Sequence, residues 1–197
     1  SNYSIAYTHG GLNIDKANLT LSGTRVYDAG TTFAGQYLTA SGVAGQTFSV
    51  TGSGHATNLA SKNVQTSQPL SSVTGLNLGS SSNGGQSSNY NALSTTGSSV
   101  SVTPKALTAT ATASDKTYNA TLQATVSGTA SADIIGSDNV VIGHTTASFA
   151  DANVARDGAG QAVTKTVSVS GLSLSGTDAL NYSLQNTSAT STANISA

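Results

Sequence analysis

Residues 171–184 read GLSLSGTDALNYSL. Leu172 and Leu174 alternate with serines, Gly176-Thr177-Asp178 supplies turn chemistry, and Asn181-Tyr182 opens a second short apolar run. The pattern is strand, tight polar turn, strand. Much of it returns at residues 75–93, GLNLGSSSNGGQSSNYNAL, and Asn-Tyr occurs a third time as Asn2-Tyr3. Such recurrence is the mark of a repeated module, and a period missed is a fold misread.

Outward from this stretch the matches continue in order. Lys16-Ala17 returns as Lys105-Ala106, and Val26-Tyr27-Asp28-Ala29 as Thr117-Tyr118-Asn119-Ala120. Gly54-His55 returns as Gly143-His144, Asn63-Val64 as Asn153-Val154, and Asn89-Tyr90 as Asn181-Tyr182. The spacing stays near a period of about 90 residues. The expected organisation is therefore two homologous modules in tandem, residues 16–104 and 105–197. Residues 1–15 are either the closing strand of a preceding module or an added first strand. The opening Ser-Asn-Tyr-Ser reads as a cut within a longer series.

The fold class expected is all-β: two β-rich modules, sandwich- or grasp-like, arranged end to end. Leu107, Ala109, Ala111 and Ala113 alternate with threonines, the period of a half-buried strand. Leu12/Ile14, Val100/Val102 and Ala193/Ile195 repeat that alternation on a smaller scale. Helical periodicity is absent; one short turn near 132–135 is the most expected. Val167 and Val169 share a parity that Leu172 and Leu174 reverse, and Val73 stands in the same relation to Leu76 and Leu78. An apolar face cannot change parity within a regular strand, so a bulge or sharp bend is expected at Gly75 and Gly171. Pro104 suits a short, stiff connection between modules. The low-complexity segment 79–89 is expected to form a long, exposed, mobile loop.

Composition limits function. Seven basic and eight acidic residues, all of the latter Asp, leave a net charge of −1 and only 8% charged residues. That balance excludes the basic stripe nucleic acid requires and a polybasic membrane patch. No cysteine is present, so disulfides, thiol catalysis and cysteine zinc sites are excluded. A chain exported unfolded through an oxidising periplasm gains from that absence. No apolar run approaches the roughly 20 residues of a membrane-spanning helix. Seven Tyr, three Phe and no Trp predict thin cores.

Val26-Tyr27-Asp28-Ala29-Gly30, Gly136-Ser137-Asp138-Asn139-Val140, the string from Val167 to Tyr182 and the closing Ala193-Asn194-Ile195 together resemble YDG or MBG-type repeats. These are tandem modules of large secreted bacterial adhesins, filamentous-haemagglutinin-like and exported by two-partner secretion. The resemblance implies a non-enzymatic stalk on a Gram-negative cell surface, spacing a binding tip from the cell and supporting adhesion or biofilm. It implies neighbouring modules of the same chain as partners, with a host or bacterial surface glycan or protein as a further one. It carries no catalytic residue, cofactor or metal. Tyr118-Asn119-Ala120 departs from the Asp-Gly form of the motif.

The candidate residues are accordingly structural: Tyr27, Asp28, Gly75, Asn89, Tyr90, Tyr118, Asn119, Gly171, Gly176, Asp178, Asn181 and Tyr182. The tyrosine pairs Tyr27/Tyr118 and Tyr90/Tyr182 read as half-buried anchors whose hydroxyls reach turns, or alternatively as a sugar platform working with loop 79–89. His55 and His144 occupy equivalent places in separate modules and read as surface histidines. Asp133, Asp138, Asp151 and Asp157 read as turn caps rather than calcium ligands, since no EF-hand spacing is present. Asn-x-Ser/Thr sequons stand at Asn2, Asn18, Asn119, Asn181, Asn186 and Asn194.

Overall fold

The computed structural model describes residues 3–6 and 9–197, so Asn2 lies outside the described residues. The chain is all-β. Its helical content among the described residues is four three-residue 3-10 turns, Gly35–Tyr37, Val43–Gly45, Ser87–Asn89 and Ala179–Asn181. Residues 132–134 form only a turn and a bend. None of the four short turns is legible as a helical period, because a single turn is too brief to leave one. No helix among the described residues is long and apolar enough to cross a membrane.

Strands β1 (Thr20–Val26), β2 (Leu38–Ser41), β3 (Thr47–Thr51), β4 (Gln65–Gln68), β5 (Asn77–Ser81) and β6 (Ser99–Thr103) form one sheet in the order β4-β6-β1-β2-β3-β5. β1–β2, β2–β3 and β3–β5 are antiparallel. The remaining strands are β7 (Lys105–Leu107), β8 (Thr110–Ala113), β9 (Lys116–Thr117), β10 (Val126–Ala130), β11 (Val141–Gly143), β12 (Thr146–Phe149), β13 (Lys165–Ser170), β14 (Ser173–Ser175), β15 (Tyr182–Leu184), β16 (Ser188–Ala193) and β17 (Ile195–Ser196). They pair as β12-β13-β16, β8-β10 and β11-β14, all antiparallel, and as β7-β15 and β9-β17, both parallel.

Two compact units result. One comprises Ser1–Thr24, Thr31–Ala60 and Ser67–Val100; the other comprises Arg25–Gly30, Ser61–Thr66 and Ser101–Ala197. Two short pieces that by sequence belong to the first repeat thus lie in the second unit. The first unit is filled by Leu21, Phe33, Phe48 and Val100, with Phe48 edge-on to Tyr90 at 5.2 Å between ring centres. The second is filled by Leu107, Phe149, Val167, Val169 and Ile195. Aliphatic burial of about 1.5–3 kcal/mol per Val or Leu carries both cores.

Alternation over 107–113 survives although the strand does not. Leu107, Ala109 and Ala113 are buried and the threonines between them exposed, but pairing passes from β15 to β10 across Thr108 and Ala109. There the backbone N–H of Thr108 donates to Asp133 and that of Ala109 to Asn186, both at 2.8 Å. The Leu12/Ile14 alternation, by contrast, forms no strand. Both side chains are exposed, and backbone pairing begins only with the parallel bridge of Ala17 to Tyr90. An apolar alternation becomes a strand only where a neighbour accepts its hydrogen bonds. Segment 79–89 is mostly exposed, as expected, but is not all loop. Residues 79–81 finish β5, and Asn83 accepts from Thr47 N at 2.9 Å while donating to Gly45 O at 2.7 Å.

Both parity changes coincide with bends. Gly75 lies in a turn just before β5. At Gly171 the chain leaves β13, paired with β12 and β16, and enters β14, paired with β11. Gly171 has φ +69°, and a Cβ there would stand 2.0 Å from Thr145 Oγ1. Gly171→Ala is therefore expected to lower stability by about 1–3 kcal/mol. Gly128→Ala, in open space at ordinary φ, should change it by less than about 0.5 kcal/mol. Urea denaturation of the two variants checks the difference.

Candidate functional site

A dense polar cluster gathers on Asp138. Its carboxylate is held by three side chains, all within the second unit. The loop after β1 is folded about Arg25, a buried side chain that donates to Val26 O at 3.1 Å and Gly30 O at 2.7 Å and pairs with Asp28. Asp28 also accepts from Gly30 N at 2.8 Å, and Ala29 takes a positive φ of 62°. This bend, tied by Tyr27 N to Thr103 O at 2.9 Å, aims the Tyr27 ring inward.

The Tyr27 hydroxyl donates to Asp138 Oδ2 at 2.8 Å, and Tyr182 donates to the same oxygen at 2.7 Å. Their rings meet edge to face, 5.6 Å apart. Tyr182 in turn accepts from Ile135 N at 2.9 Å. Lys62 Nζ reaches Asp138 Oδ1 at 2.9 Å and Asp178 Oδ1 at 3.3 Å. Asp178 is itself held by Asn139 N at 2.9 Å. Gly176 permits this: a Cβ at that position would stand 2.4 Å from Asn139 O. Beside the cluster, Asn181 is buried, accepts from Val64 N at 2.9 Å and donates to Asn63 Oδ1 at 3.1 Å.

Electrostatics follow the geometry. Burial pushes the Asp138 carboxyl upward, but hydrogen bonds from Tyr182, Lys62 and Tyr27 outweigh it and hold the group below its ordinary value. Burial first, then the Asp138 carboxylate, raises Tyr27, while Lys62 opposes the rise. Tyr182 is pushed up to about 12, by burial foremost and Asp138 next, against the Ile135 N–H. The hydrogen bond to Asp138 raises Lys62 well above an ordinary lysine. Both Asp138 carboxylate oxygens and both tyrosine hydroxyls are hydrogen-bonded. The arrangement is a clamp that ties Tyr27, Lys62 and Tyr182 to one carboxylate.

Of the residues singled out in the sequence, Tyr27, Asp178, Asn181 and Tyr182 meet in this cluster, with Asp28 and Gly176 shaping its turns. Tyr90 and Asn89 form a smaller counterpart in the first unit, where Tyr90 donates to Gln46 Oε1 at 2.7 Å. Tyr118, expected as a half-buried anchor, is 51% exposed, whereas Tyr27 is 2% exposed. Asp151 and Asp157 cap their own turns as expected, whereas Asp133 accepts from the distant Thr108 N. Asp138 is no turn cap; its carboxylate serves tyrosines distant in sequence. Lys62 and Arg25 were missed entirely, and no local pattern marks them. His55 and His144 are exposed and in different units. No group of three or more metal-ligating side chains occurs among the described residues. Burial of Asn181 places that sequon out of reach in the folded chain.

Asp138→Ala should cost about 1–3 kcal/mol for each tyrosine hydroxyl it strands, and Lys62→Ala, whose ammonium reaches water, clearly less. Equal losses in thermal melts would show that the ion pair, not the hydroxyls, carries the cluster. The unfolded chain releases its Tyr protons near pH 10, about two units before folded Tyr182 does. Stability from this group is therefore intact below about pH 10 and lost as pH rises towards 12. The depressed Asp138 acts oppositely, its contribution present above about pH 4 and lost below. Tyr182→Phe should flatten the alkaline arm, as followed by tyrosinate absorbance against denaturation, and also weaken the acid arm, because it removes a bond that depresses Asp138.

The family model of the YDG domain matches residues 103–191. No curated protein and no solved structure matches the chain. Asp138, Asp178, Asn181 and Tyr182 lie inside the matched segment, and Tyr27 and Lys62 outside it. Residues 103–191 are a YDG-type module.

Proposed function

We propose that this chain is a structural segment of an exported bacterial surface adhesin, in which residues 16–104 and 105–197 are two copies of one β-built module laid in series. Such a segment spaces a binding tip from a Gram-negative cell and supports adhesion or biofilm without chemistry of its own. Neighbouring modules are its main partners.

The observation that carries this reading is the return of the same local structure outside the matched segment. Antiparallel β1–β2, β3–β5 and the neighbours β4 and β6 correspond in order to β8–β10, β11–β14 and β13–β16. The turns Ser87–Asn89 and Ala179–Asn181 each precede the tyrosine of an Asn-Tyr pair. Tyr90 accepts from Val43 N at 3.2 Å as Tyr182 does from Ile135 N. Against the alternative, that the modules bind a glycan or host receptor, Tyr27, Tyr90 and Tyr182 are buried with their hydroxyls engaged. Asn83 also ties down the loop that reading needs.

Two measurements test the proposal. Single-molecule pulling on the full chain should give two separate unfolding events, one per module; a single event would overturn the series. On a glycan array the labelled chain should retain no sugar above background. Specific retention, lost on deleting residues 82–86, would favour the binding reading instead.

A further inference from the structure

We propose that the face around Gln46, Tyr90 and Asn89 is a docking surface for the Tyr118 tip of a second copy of this chain. The inference rests on the series reading above and adds the contact by which successive modules join. Within the second unit that contact exists once, complete: the Tyr27 tip on Asp138 and Tyr182, with Asn63 and Val64 on Asn181. Elsewhere its two halves occur separately: the Tyr118 ring and Asn89 are exposed, while the Tyr90 ring is buried against Phe48 and only its Gln46 and Asn89 rim is open.

The free tip has the conformation of the engaged one. Ala120 takes φ 59° where Ala29 takes 62°. Asn119 accepts from Thr121 N as Asp28 does from Gly30 N. Lys116 bonds Asn119 and Gln123 O as Arg25 bonds Asp28 and Gly30 O. Tyr118 N donates to Ser196 O at 2.8 Å, matching Tyr27 N to Thr103 O. Asn153 N is capped by Asp151 as Asn63 N is by Ser61. What differs is the surroundings of the ring, buried in Tyr27 and half-exposed in Tyr118.

The free acceptor has the chemistry of the engaged one. Gln46 stands to Tyr90 as Asp138 stands to Tyr182, and Val43 N as Ile135 N. Asn89 corresponds to Asn181, but it is exposed and borders an open pocket of about 460 Å³ with Val43 and Ile14. The charges agree as well. In the engaged contact Lys62 meets Asp138; in the free halves Ala152 takes the lysine's place in sequence and Gln46 the carboxylate's. A tip without the cation fits an acceptor without the anion, leaving no buried charge unpaired. Gln46 Oε1 retains a lone pair for a second tyrosine hydroxyl.

A tip meeting a different surface as its acceptor is a heterologous, head-to-tail contact, so copies can add in series. Inside a chain the linkage raises the effective concentration to the millimolar range; separate copies must therefore be brought to about 1 mM to show it. Sedimentation velocity of the full chain at that concentration should give an open-ended series of oligomers. Tyr118→Ala and Asn89→Arg, both at exposed positions and each checked for an unchanged melt, should each weaken association by about tenfold or more. An equimolar mixture of the two variants should form dimers and stop there, since one intact tip and one intact acceptor remain. A wild type that stays monomeric, association that survives both substitutions, or a mixture without dimers would overturn the proposal. Any of these alongside two unfolding events in the pulling measurement would remove the contact and leave the series standing.

Discussion

One buried carboxylate organises the second unit. Asp138 has lost its water, and a desolvated charge is tolerated only when its lone pairs are filled by good donors. Tyr27, Tyr182 and Lys62 fill them, at 2.7 to 2.9 Å. These donors come from places far apart in the chain, so satisfying one side chain pins three segments together. The tyrosines gain in turn, because a buried hydroxyl without an acceptor costs more than its hydrogen bond contributes.

That dependence explains why so few aromatics suffice. A core of Ala, Val and Leu between short strands stabilises weakly for its length, and most of the surface is Ser, Thr, Asn and Gly. Aromatic rings are placed where they combine area with a polar end: Tyr27 against Tyr182, and Tyr90 against Phe48. The same economy appears in Asn58, fully buried in the first unit, which bonds both backbone groups of Phe33. Polar side chains here substitute for missing strand partners.

Read locally, the sequence was a good guide to strands and bends. Alternation over 107–113 predicted which residues face inward, and the parity change at Ser170-Gly171 coincided with a change of strand partners. It was a poor guide wherever a partner decided the outcome. Leu12 and Ile14 alternate as well as Val100 and Val102 do, yet only the latter pair lies in a strand. Tyr27 and Tyr118 share a motif and a backbone conformation but not a burial state. The parallel pairings β7–β15 and β9–β17 left no sign, since parallel and antiparallel strands use the same alternation.

The sequence by itself determined the all-β class and the bends at Gly75 and Gly171, because side-chain period and glycine conformation act over a few residues. Only the tertiary structure decided which residues of a repeated motif would be buried. It alone singled out Asp138 among eight aspartates, and it brought Lys62 and Tyr27 to that carboxylate. Those outcomes depend on what stands opposite a side chain, and nothing in a residue's own neighbourhood along the chain records its future neighbour.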